Sequence, residues 1–167
     1  IADDRDSYLR AKAKAASSPV VISDFTSGEV KRQTDPTEWD RVQVVRCGIQ
    51  FDRFRYDPVI ELPDPPIVLT VARLSPEKGH LILIDAIDEL RRRGERVTAE
   101  FIGGGPFADD LQRRIDELGL DDRITLLGSM HTDEVAKRLP TAAVFCLPSF
   151  AEGIPVSIME AMAVGVP

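Results

Sequence analysis

Apolar and polar residues alternate between two periods along this chain, and the change of period marks its organisation. Residues 2–17 are rich in Ala, Lys, Arg and Asp and read as an exposed helix that stops before Pro19. Val20, Val21 and Ile22 follow as a short buried strand, and Ser23 and Asp24 cap a second helix running to about Gln33. After a polar stretch, residues 42–45 read as another strand. Pro58, Pro63, Pro65 and Pro66 then punctuate a connector that fits no central helix or strand.

From Ile67 the pattern becomes regular. Residues 67–72 are a continuous apolar run of strand length, as expected of a strand buried on both faces. A helix follows over residues 80–93, with Leu83, Ile87 and Leu90 at helical spacing. Residues 97–102 form the next strand; Leu111, Ile115 and Leu118 mark a helix that Gly119 stops. Residues 124–127 are a strand, Thr132 caps a short helix holding Val135 and Leu139, residues 144–147 are a strand, and residues 156–163 a helix. Strands alternating with helices predict an α/β fold: a Rossmann-like parallel sheet with right-handed crossovers and helices on both faces. The division drawn on the sequence is 1–40 for a first segment and 41–167 for this layer.

Ligands bind such sheets at the carboxyl ends of the strands, where loops lead into helices. Four loops qualify: residues 73–79, 103–107, 128–131 and 148–155. The first carries Arg73 and Lys78. An arginine grips phosphate oxygens in pairs and a lysine adds a mobile point charge, so together they suit a departing diphosphate. The alternative is a solvated turn with Glu77 and Lys78 as surface charges. In the second, Gly103, Gly104 and Gly105 let a ligand approach the backbone. The string from Gly103 to Ala108 also fits the loose dinucleotide fingerprint, but the following strand ends Leu126-Leu127-Gly128 with no acid to hold a ribose. A dehydrogenase loses its main support.

The fourth loop is the most informative. Glu152 precedes a helix start marked by Gly153 and Pro155, and Glu160 lies two turns further on. One carboxylate can accept sugar hydroxyls and the other a ribose, while amides near Ile154 and Val156 face whatever sits at the helix start. The bland reading makes Glu152 a helix cap and Glu160 a surface charge. Ile158, Met159, Ala161 and Met162 surround Glu160, however, and a glutamate in an apolar helix needs a partner.

Bulk properties narrow the classes. A formal charge of −7 disfavours nucleic-acid and anionic-membrane surfaces. No apolar run approaches the ~20 residues that span a bilayer, and no leader opens the chain, which predicts a cytoplasmic protein. Ile1 at the start suggests a piece of something longer. Cys47 and Cys146 have no metal or redox spacing and read as buried residues; His80 and His131 stand at helix starts outside any nucleophile pattern. A thiol hydrolase has almost no support.

These motifs, taken in order, resemble the retaining glycosyltransferases of family 4, which have the two-domain GT-B architecture. The matching parts are Val-Ala-Arg-Leu at 71–74, Pro-Glu-Lys-Gly at 76–79, Ile-Gly-Gly-Gly-Pro at 102–106, Leu-Leu-Gly at 126–128 and Leu-Pro-Ser at 147–149. Glu-Gly-Ile-Pro followed by Glu-Ala-Met-Ala, at 152–163, completes them. Each is weak alone; six in this order are specific. The resemblance implies that Arg73 and Lys78 bind the donor diphosphate, Glu152 the transferred sugar and Glu160 the nucleotide ribose. It implies backbone contacts from Gly153, Ile154, Pro155 and Val156, a nucleotide pocket lined by Gly103 and Gly104, and a base held near Leu127 and Met130. The donor would be a UDP- or GDP-sugar and the acceptor a glycan, lipid or small molecule, with no metal ion and no other cofactor.

By the same resemblance, residues 1–40 would be the tail of an acceptor-binding domain and the interdomain segment. Residues 41–167 would be an incomplete donor domain. Cys47 and Gln50 stand where many relatives have asparagine and aspartate, a departure that suggests a subgroup making bacterial surface polysaccharide. Residues 1–167 alone are expected to transfer sugar weakly or not at all, and the full-length form is expected in the cytoplasm or at the inner face of the membrane. The readings kept beside the transferase are a non-catalytic nucleotide-sugar-binding module and, less favoured, a related GT-B phosphorylase, whose cofactor lysine lacks its context here.

Overall fold

The computed structural model describes the backbone of residues 4–167 and the side chains from Tyr8 onward. The helix read from residue 2 is described from Asp4; residues before it lie outside the described set. The chain divides into two compact units, Ile1–Gly48 and Ile49–Pro167.

In the first unit, helix α1 (Asp4–Ala15) and helix α2 (Asp24–Gln33) accompany a parallel pair of two-residue strands, β1 (Val20–Val21) and β2 (Gln43–Val44). Ser23 caps α2, its hydroxyl accepting from the Thr26 amide at 3.1 Å. Ala13, Val21 and Val30 form a small core. The stretch read as merely polar holds a 3-10 turn at Pro36–Arg41, capped by Asp35. Because β2 pairs with β1, it belongs with the upstream unit. The boundary therefore falls after Gly48, where the sequence division placed it after residue 40. Cys47, expected to be buried, is half-buried.

The second unit is built on a four-stranded parallel sheet of order β5-β4-β3-β6. Its strands are β3 (Ile67–Val71), β4 (Thr98–Ile102), β5 (Ile124–Gly128) and β6 (Val144–Phe145). Side chains alternate between the faces, as a pleated strand requires. On one face Val68, Ala99, Phe101, Ile124 and Leu126 pack against α3 (His80–Arg92) and α4 (Ala108–Leu118) through Leu83, Ile84, Ile87, Leu111 and Ile115. On the other, Leu69, Ile102 and Phe145 meet Val135 of α5 (Thr132–Arg138), Leu139, and Ala161 of α6 (Val156–Ala163). Ile84, Ile87, Leu111 and Ile115 are at most 1% exposed. Each such side chain stabilises the layer by roughly 1.5–3 kcal/mol. The expected fold class is thus observed.

Two local details differ from the sequence reading. The cap of α5 is His131 and not Thr132: its amide donates to the Glu134 carboxylate at 2.8 Å, one residue before the helix begins. Cys146 is half-buried against the first core, where burial raises its thiol pKa. No helix among the described residues is long and apolar enough to cross a membrane.

The sheet order places the site. Chain progression from β3 through β4 to β5 runs toward one edge, and β6 then returns to the other side of β3. The connections reverse direction between β3 and β6, and the crevice beyond their carboxyl ends is where such sheets take ligands.

Candidate functional site

The loop leaving β3 and the loop leaving β6 meet at that crevice. Pro76–Lys78 forms a 3-10 turn, closed by Gly79 in the left-handed region (φ 71°). A β-carbon on Gly79 would lie 2.0 Å from the carbonyl oxygen of Pro148, so only glycine lets the loops approach this closely. The Phe150 amide donates to the Glu77 carbonyl at 2.9 Å, a second tie between them. The Ser75 hydroxyl donates to the Glu77 carboxylate at 2.6 Å, which holds that acid below its ordinary range.

These ties bring Lys78 to Glu152, residues 74 positions apart. The ammonium donates to the Glu152 Oε1 at 2.6 Å, with the side chains 22% and 26% exposed. Burial alone would push the Glu152 carboxyl up; hydrogen bonding and the charge of Lys78 outweigh it, and the net shift is downward. An ammonium has three donors, so Lys78 can hold Glu152 and still offer hydrogen bonds to an anion. Arg73 is exposed on the same rim, with no ion-pair partner among the described residues. The solvated-turn alternative thus suits Glu77 better than Lys78.

Glu160 lies half-buried on α6, and its carboxylate has no hydrogen bond or ion pair among the described residues. Burial pushes its carboxyl above the ordinary glutamate value. Residues 152–155 are not helical and α6 begins at Val156, so the separation of the two glutamates is not that of a continuous helix. Pro155 stands at the cap with no side-chain hydrogen bond, and no acid lies in the first turn. The positive end of α6 is therefore unopposed beside Gly153, Ile154, Pro155 and Val156.

The glycines after β4 have a packing reason that sequence reading missed. A β-carbon on Gly103 would lie 1.8 Å from the Ala72 carbonyl oxygen, and one on Gly105 would lie 2.2 Å from that of Leu74. A β-carbon on Gly104 would press the Ser129 hydroxyl at 2.5 Å. The Leu74 amide donates to the Gly104 carbonyl at 2.9 Å, joining the two loops. Leu127 and Met130 both pack against the second core. Among the described residues, no group of three or more His, Cys, Asp or Glu gathers in a metal-binding arrangement.

Sequence reasoning also passed over His80. It is 1% exposed at the first position of α3, its ring 5.4 Å from that of Phe101 and tilted by 49°. The signal was available: a histidine directly behind Lys78-Gly79 and ahead of an apolar helix face.

The model of the family described as glycosyl transferases group 1 matches residues 52–167. An Escherichia coli K12 protein named as a colanic acid biosynthesis glycosyltransferase, WcaL, is 36% identical over 152 residues, covering 87% of this chain and 37% of its own. The GDP-mannose-dependent alpha-(1-6)-phosphatidylinositol monomannoside mannosyltransferase of Mycobacterium tuberculosis is 33% identical over 135 residues, 72% of this chain and 35% of that protein. In fold, the chain is similar to Anabaena Alr3699/HepE, solved in complex with UDP and glucose. The TM-score is 0.81 at 23% identity, over 97% of this chain and 47% of that one. The chain spans little more than a third of the length of these two curated relatives. With the family model matched across most of its length, and with the parallel layer of solved GT-B enzymes, this chain belongs to the group 1 glycosyl transferases.

Proposed function

We propose that this chain supplies the donor site of an enzyme that moves a sugar from a nucleoside diphosphate to an acceptor with retention at the anomeric carbon. The observation that carries this reading is the Lys78–Glu152 pair at the switch point, with Arg73 exposed on the same rim. The bond from the sugar's C1 to the diphosphate oxygen breaks and that oxygen leaves with the electron pair, while the acceptor's hydroxyl oxygen bonds to C1 on the same face and gives its proton to the departing diphosphate. Arg73 and Lys78 neutralise the growing charge from fixed positions, which lowers the barrier more than mobile solvent would. Glu152 accepts hydrogen bonds from the sugar and Glu160 from the ribose, while the amides at the start of α6 face sugar or phosphate oxygens. Two cations and a helix terminus then do what a metal ion does in other phosphate sites.

The donor is a UDP- or GDP-sugar. Of the relatives, one is GDP-mannose-dependent by name and another was solved with UDP. The names of the colanic acid relative and of an amylovoran biosynthesis glycosyltransferase support a surface polysaccharide as the product. Calorimetry with UDP and GDP tests the donor site. Wild type should bind one of them, and Arg73→Ala and Glu160→Ala should each weaken that binding by about tenfold or more, the worth of one charge-assisted hydrogen bond. If wild type binds neither nucleotide, or both variants bind unchanged, the assignment fails.

A further inference from the structure

A buried imidazole under the diphosphate loop is not used by the reading above. His80, the first residue of α3, is buried with its ring against Phe101 of β4, and neither ring nitrogen completes a hydrogen bond among the described residues. Buried polar atoms in native proteins are almost always satisfied, so an orphan in the core asks for a reason. Packing does not supply one. A phenylalanine or leucine would fill the same space against Phe101 without leaving two polar atoms unpaired.

The surroundings do supply one. Burial and the nearby Lys78 ammonium both disfavour a protonated ring, while the Ser75 backbone is placed to accept from it. Ser75 opens the 3-10 turn that carries Lys78, and its carbonyl accepts from the Lys78 amide at 3.1 Å. That carbonyl has a second lone pair, and a neutral imidazole has one N–H to give. On the near side, Gly79 is locked under the Pro148 carbonyl, and on the far side the Leu74 amide is tied to the Gly104 carbonyl, which leaves the Ser75 carbonyl as the group of the turn that faces the ring.

We propose that His80 is a positioning residue for the donor diphosphate: one ring N–H closes onto the Ser75 carbonyl when Lys78 engages the phosphate oxygens, fixing the turn that bears the cation. This rests on the donor-site reading of Lys78 given above. It explains why a residue that weakens the apolar core stands directly behind the Lys-Gly pair. Binding energy from the diphosphate is what completes the buried hydrogen bond.

The test separates folding from binding in the intact protein. His80→Phe and His80→Leu remove the donor and keep the packing, whereas His80→Gln restores an N–H. Thermal unfolding should show the Phe or Leu variant at or above wild type. Both should bind the nucleotide that wild type takes about tenfold more weakly, as expected for one lost hydrogen bond, and Gln should recover most of that loss. Wild-type affinity in the Phe and Leu variants overturns the proposal. So does a Gln variant no better than they are, or a loss of affinity that only follows a loss of stability. Wild type that binds no nucleotide overturns the donor-site reading as well; wild type that binds, with Lys78→Ala weakened and His80→Phe unchanged, removes His80 alone.

Discussion

Glu160 is the residue that packing explains least. Its carboxyl is half-buried on a mostly apolar helix, and burial raises its pKa above the ordinary 4.5. Between 4.5 and the raised value, the native state holds more protons than the unfolded chain. Stability therefore falls as pH rises through that window, and above it the ionised Glu160 is a standing cost. Glu160→Gln should accordingly melt at or above the wild-type temperature at pH 7 while binding nucleotide about tenfold more weakly. A ligand that accepts only the ionised form pulls the pKa down. Wild-type affinity should thus decline as pH is lowered through the raised value, and the Gln variant should show no such decline. Calorimetry across a pH series reads both. A lower melting temperature with unchanged affinity would make Glu160 a folding residue instead.

Among the elements, the decisive contact is between two loops, and Gly79 makes it possible. It has φ 71° and faces the Pro148 carbonyl at 2.0 Å from where a β-carbon would stand. Gly94 offers an internal control: its φ is 83°, but open space surrounds it. Gly94→Ala should cost only the backbone strain, about 1–2 kcal/mol. Gly79→Ala should cost that and the displacement of the 148–155 loop, so its unfolding midpoint should fall further. Its Lys78–Glu152 pair should also part, with nucleotide binding lost. Equal midpoints for the two variants would show that the loop yields freely. This contact also marks the limit of what sequence shows. Helix α3 was legible because Leu83, Ile87 and Leu90 stand at helical spacing, and α6 because Gly153 and Pro155 mark its start. Pairing is non-local: nothing in Gln43–Val44 announces that it joins β1, and the order that sets β6 beside β3 must be observed. The glycines after β4 drew attention as ligand contacts, yet the Ala72 and Leu74 carbonyls already require Gly103 and Gly105. Arg73, Lys78, Glu152 and Glu160 stood out as candidates because each departs from the apolar pattern at a strand's carboxyl end or on a mostly apolar helix.

For the molecule as a whole, the net charge opposes the ligand proposed for the site. The chain carries a formal charge of −7, and a nucleoside diphosphate is itself an anion. At long range the two repel; at the rim Arg73, Lys78 and the start of α6 attract. Salt screens both, since the Debye length is about 8 Å at physiological ionic strength, but it acts on whichever term dominates at the site. In wild type the local cations dominate, so nucleotide affinity should fall as salt rises from low to physiological levels. Removing both charges in an Arg73→Ala, Lys78→Ala double variant leaves the general repulsion. Its residual affinity should be weaker by a hundredfold or so, two charge-assisted hydrogen bonds at the low end of their worth. That affinity should also stay level or improve with added salt. A chelator should alter neither curve if cations of the chain alone meet the diphosphate. Titrations at three salt concentrations with and without EDTA distinguish the cases. A double variant that keeps the wild-type salt slope would place the diphosphate elsewhere, and an affinity that vanishes with EDTA would put a metal ion where Arg73 and Lys78 are assigned.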